Sequence, residues 1–146
     1  MKVAYPVIFT DVDTNILIEV PDLEILTESN EEGSKKGTLA DAIMMARDAI
    51  GISCIEKEDK GIEIQKPSAL EDIDVSKGTF FGDGKNVVSI VDVDLAEYRR
   101  KIDTKVVRKN VSLPSWLNYE ADKAGINVSR VLQEALINVL GVSRTL

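Results

Sequence analysis

The chain has 146 residues, a length that suits one domain or two small ones, with 44% hydrophobic residues, 29% charged residues and no histidine. No apolar run approaches the roughly eighteen residues of a membrane span, and Met1-Lys2 leads straight into a strand pattern rather than a signal peptide, so a soluble cytoplasmic protein with no membrane role is expected. The net charge of −7 and the lone Cys54, which cannot form an internal disulfide, exclude a uniformly basic nucleic-acid binder and a disulfide scaffold.

In chain order, Lys2–Thr10 is rich in Val and Ile and predicts a strand. Asp11-Val12-Asp13-Thr14-Asn15 is a turn, and Ile16–Val20 returns as the second strand of a hairpin. Pro21-Asp22 breaks that strand, Leu23–Glu28 predicts a third, and Ser29–Gly37 is a polar loop. Thr38 caps a helix with Asp41 three residues on, and the helix is expected from Leu39 to about Glu58. Its buried side comprises Leu39, Ala42, Ile43, Ala46, Ala49, Ile50 and Ile55, with Cys54 as a small buried hydrophobe. Gly51 weakens the helix by about 1 kcal/mol relative to Ala. Gly61–Gln65 is a short-strand candidate before Pro67, and Ala69–Gly84 is mostly loop. Asn86–Val93, with its β-branched run, predicts a central strand, and Leu95–Asp103 a helix or linker. The order implies an α+β fold: a small, mostly antiparallel sheet with one packed helix.

The tail has a different logic. Over Val106–Pro114, Val107, Val111 and Leu113 share one face of an extended segment, while Arg108, Asn110 and Ser112 share the other. Pro114 ends the strand and opens a helix over Ser115–Ala124, with Leu117, Ala121 and Ala124 aligned, and Gly125 stops it. Asn127 caps a second helix whose apolar face is Val128, Val131, Leu132, Ala135, Leu136, Val139 and Leu140, ending at Gly141. A strand–helix–helix unit of this size buries too little surface to fold alone, and its strand leaves backbone groups unpaired. Two copies pairing their strands antiparallel remove both problems. The resulting ribbon presents Arg108, Asn110 and Ser112 twice and matches the width of a DNA major groove.

Charge follows the same division. Residues 105–146 carry six basic side chains (Lys105, Arg108, Lys109, Lys123, Arg130, Arg144) against three acids (Glu120, Asp122, Glu134), a balance of +3 that leaves −10 for residues 1–104. A basic tail is drawn to phosphate, and an acidic body suits a basic protein partner.

Residues 105–141 resemble a ribbon-helix-helix DNA-binding domain, the alternation Arg-x-Asn-x-Ser-Leu-Pro matching that family's strand. The resemblance implies that Arg108, Asn110 and Ser112 read bases, each good contact discriminating by roughly 1–3 kcal/mol. Lys105, Asn127, Val128 and Ser129 would hold phosphates, the last three at a helix N-terminus. The dimer core would comprise Val107, Val111, Leu113, Leu117, Val131, Leu132, Ala135 and Leu136. Lys109 departs from the family, which usually keeps an apolar residue there; its stem can lie along the core edge with the ammonium in water.

With this module attached, the whole chain resembles the HicB family of antitoxins. The likeness rests on Tyr5-Pro6-Val7-Ile8-Phe9, Val20-Pro21-Asp22-Leu23, the Thr38-led helix, Val91-Asp92-Val93-Asp94-Leu95-Ala96-Glu97-Tyr98-Arg99-Arg100, and, in the tail, Leu113-Pro114-Ser115-Trp116-Leu117 and Ser129–Leu136. That resemblance implies a partial ribonuclease H-like domain over residues 1–98, a linker over 99–104 and a dimerising DNA-binding domain over 105–146. It further implies a HicA-like mRNA interferase toxin as partner, covered at its active site, operator DNA as the second partner, and repression of the shared operon. A homodimer or a higher oligomer is expected.

Catalysis is not expected. Asp11, Asp13, Asp92 and Asp94 are the only candidates for a two-metal carboxylate cluster, and Asp11-x-Asp13-x-Asn15 has Ile16 where a calcium loop requires glycine. A hairpin turn explains these acids more simply. Gly82-Asp83-Gly84 is a turn without phosphate-loop spacing around it. No cofactor and no metal is expected. The alternative reading is a ligand-sensing ribbon-helix-helix repressor with no toxin partner; a metal-sensing version would need His or Cys clusters, which this chain lacks.

Overall fold

The computed structural model describes residues 1–30 and 35–142. They divide into two compact units, Met1–Arg99 and Arg100–Leu146.

The first unit is built on strand β1 (Lys2–Asp11), which pairs with β2 (Ile16–Val20) on one side and β4 (Lys85–Asp94) on the other. β3 (Ile25–Glu28) extends β2, so the sheet is antiparallel throughout in the order β3-β2-β1-β4. Among the described residues β1 is the only strand buried on both faces over a continuous run, Tyr5 to Thr10. Tyr5, Val7 and Phe9 point into the core with Ile18, Val20, Val91 and Val93, under helix α1 (Leu39–Asp59). The start of α2 (Leu95–Ile102) adds Leu95 and Tyr98 to the same cluster. On the opposite face, the connection between α1 and β4 crosses the sheet. Asp22 accepts bonds from the Ser68 amide and hydroxyl at 2.8 and 2.6 Å, and Glu19 accepts from the Thr79 amide at 2.8 Å.

The capping box is in place: Thr38 Oγ1 accepts from the Asp41 amide, and Asp41 accepts from the Thr38 amide at 2.8 Å. Gly51 is more than a weak point in the helix. A Cβ there would lie 2.7 Å from the Tyr98 ring, so the glycine is what lets α2 seat against α1.

Several expectations need correction. β4 is an edge strand, not a central one, because β1 is its sole sheet neighbour; its β-branched run is half-exposed for that reason. Gly61–Gln65 forms no strand; it is held instead by the Tyr5 hydroxyl, which donates to the Gln65 carbonyl, and by Ile64 packing on the core. Leu39, the first residue of α1, is 52% exposed, and Ile43 and Ala49 are only partly covered. β3 begins at Ile25, because Pro21–Leu23 form a 3-10 turn ending in Glu24 at φ 54°.

In the second unit, α3 spans Ser115–Lys123 and α4 spans Val128–Leu140. Pro114 sits at the cap position of α3 rather than inside its first turn. Gly125 and Gly141 follow the two helices at φ 67° and 63°, the left-handed conformation that glycine enters without strain.

Candidate dimer and nucleic-acid interface

The second unit has no buried residue in either helix. Its apolar side chains face solvent in the single chain: Val107 is 84% exposed, Val111 50%, Leu113 40%, Leu117 39%, Val131 52% and Leu136 50%. Leu132 is partly covered and Ala135 exposed. These are the residues assigned from sequence to a dimer core, and so many exposed apolar side chains in one small unit are what a contact site offers.

Residues 103–114 form neither helix nor strand in the single chain and are exposed throughout, Arg108, Asn110 and Ser112 among them. A strand exists only through its partner's hydrogen bonds, and one chain alone supplies none here. The Lys105 amide donates to Asp103 Oδ1 at 3.1 Å, leaving its ammonium at the surface. Asn127 caps α4, its Oδ1 accepting from the Arg130 amide at 3.1 Å. The amides of Val128 and Ser129 lie in the first helical turn, where no carbonyl precedes them in the ladder. Arg130 turns along the helix to Glu134 at 3.1 Å. Sequence reasoning gave no interface role to Trp116 or Tyr119, which are 68% and 64% exposed on α3. Their signal was present, since both fall off the Leu117–Ala121–Ala124 face.

In the first unit three of the four acidic candidates, Asp11, Asp92 and Asp94, are occupied. Asp11 pairs with Lys36, Asp92 with Arg47 at 3.1 Å, and Asp94 accepts from the Glu97 amide at the start of α2. That bond holds the Asp94 carboxyl below the usual carboxylate range. Among the described residues no group of His, Cys, Asp and Glu is placed to hold a metal. Cys54 is buried, and burial pushes its thiol up, opposite to what a nucleophile needs. Tyr5, fully buried, is pushed up to about 12, chiefly by burial and then by Cys54 beside it. No helix among the described residues is long and apolar enough to cross a membrane.

The first unit is thus an antiparallel α+β domain, and the second a small helical unit with uncovered apolar residues. The family model described as HicB-like antitoxin of bacterial toxin–antitoxin systems matches residues 5–134, and the chain belongs to that family. A chain of a toxin–antitoxin complex from Streptococcus pneumoniae has the same fold, with a TM-score of 0.57 and 22% identity over 94% of this chain and 99% of that one. No curated protein sequence matches significantly.

Proposed function

We propose that this antitoxin is a non-catalytic, two-part cytoplasmic repressor. Residues 1–98 bind and neutralise a HicA-like mRNA interferase, and residues 105–146 form a ribbon-helix-helix dimer on the operator of the shared operon, with 99–104 as linker. The observation that carries the second half is the exposure of the tail's apolar residues, Val107, Val111, Leu117, Val131 and Leu136 foremost. An exposed set in that pattern is explained by a second copy whose ribbon pairs with residues 106–113 and whose helices cover α3 and α4. Arg108, Asn110 and Ser112 then line the groove face, while Lys105 and the N-terminus of α4 take phosphates.

The first half rests on family membership and on charge. A body of net −10 competes with RNA phosphate for basic toxin residues, so inhibition is by steric and electrostatic cover. The decisive measurement is binding of the full chain to the DNA preceding its own gene, against scrambled DNA. Asn110→Ala is expected to bring the two affinities together, and Lys105→Ala to weaken both alike and flatten the salt dependence. Equal losses on both DNAs from both substitutions overturn the groove assignment.

A further inference from the structure

The free edge of β4 is ten residues long, contains no proline or bulge, and carries two exposed apolar side chains, Val87 at 56% and Ile90 at 45%. Such an edge is a template for strand pairing, and folded proteins normally blunt it. Which backbone groups point outward follows from the register. The Leu95 amide donates to the Met1 carbonyl at 2.9 Å, which makes odd-numbered β4 residues the hydrogen-bonded partners of β1. Pro6, which has no amide, stands opposite Ile90, where β1 needs no donor. The amides and carbonyls of Val88 and Ile90 therefore face away from the sheet. Asp92 faces the same way, and Arg47 Nε donates to its carbonyl at 2.9 Å, closing one end of the edge. Among the described residues no hydrogen bond from outside the sheet reaches the Val88 or Ile90 backbone.

We propose that the cognate toxin adds a strand to β4 at Val88 and Ile90, so that this antitoxin captures its partner by sheet extension. The proposal rests on the toxin-binding reading above. Charge selects the occupant. A second copy would bring together two bodies of −10 each, whereas this acidic body, with Asp83 just before β4, Asp94 at its end and Asp92 shared with Arg47, suits a basic strand.

The test uses full-length protein and the inactivated toxin from the adjoining reading frame. In the free antitoxin the Val88 and Ile90 amides are expected to exchange quickly and those of Val87, Ser89 and Val91 slowly; the toxin is expected to slow the first two by about tenfold or more. Ile90→Pro removes an outward amide without breaking the β1 ladder, and is expected to weaken toxin binding about tenfold with the unfolding midpoint nearly unchanged. Unchanged exchange at Val88 and Ile90 in a saturated complex overturns the proposal while leaving toxin binding intact. Protection of both amides in the free protein that is lost on dilution also overturns it, since a second copy then holds the edge. A wild-type chain that does not bind this toxin overturns both readings.

Discussion

Gly51 and Tyr98 show how one missing Cβ sets the packing of two helices. Alanine at position 51 gains about 1 kcal/mol in helix propensity, yet its methyl group meets the Tyr98 ring at 2.7 Å. Overpacking of this kind costs about 1–3 kcal/mol, so Gly51→Ala is expected to be net destabilising in denaturant titrations. Gly51→Ala with Tyr98→Leu is expected to recover part of the loss, because the flatter contact is relieved. A second residue-scale outcome concerns alkali. Tyr5 holds its phenol proton up to about 12, above its ordinary 10.0, so folding favours the neutral form. That contribution is complete below pH 10 and is lost as pH rises toward 12. The buried Cys54 thiol, raised from its ordinary 9.0, acts in the same direction. Tyr5→Phe removes the Tyr5 share, so the stability gap between wild type and variant is expected to shrink between pH 10 and pH 12. A gap that widens there refutes the assignment.

At the scale of elements, α1 depends on its N-terminal box. Thr38→Ala removes the acceptor for the Asp41 amide and is expected to cost about 1 kcal/mol, read from the unfolding midpoint. In the other half of the box the Thr38 amide, and then its hydroxyl, donate to the Asp41 carboxylate and hold that carboxyl below its ordinary range, so this contribution is present at neutral pH and is lost as acid protonates the group. This box was legible in the sequence because capping is local: Thr38 and Asp41 are three residues apart. The hairpin, the stop glycines 125 and 141 and the Asn127 cap were legible for the same reason. What sequence could not give was long-range placement. The β-branched run of β4 fits a central strand and an apolar edge equally well, and only the pairing order separates them. Gly61–Gln65 has a strand's composition, but the Tyr5 hydroxyl takes the Gln65 carbonyl in place of a ladder. Gly51 read as a defect because Tyr98, on another helix, is invisible to local pattern.

For the molecule as a whole, the sixteen-residue core cluster lies entirely between Tyr5 and Tyr98, so the body holds together without the tail's apolar residues. None of the tail's helical residues is buried in the single chain, so replacing a half-exposed one there leaves the body's core untouched. Val111→Asp, at a position 50% exposed, is therefore expected to leave the body folded. In the proposed paired ribbon the same change would place a carboxylate in the apolar seam of both copies, where an unpaired charge is expensive to bury. Sedimentation is expected to show monomers at concentrations where wild type is dimeric. Each half-site then binds alone, and operator affinity is expected to fall by about a hundredfold or more as the second contact becomes a separate event. Toxin affinity is expected to stay within about threefold of wild type, under 1 kcal/mol, because the acidic body and β4 are untouched. A variant that loses both partners together would mean that the two units do not act independently, and that the toxin is held partly by the tail.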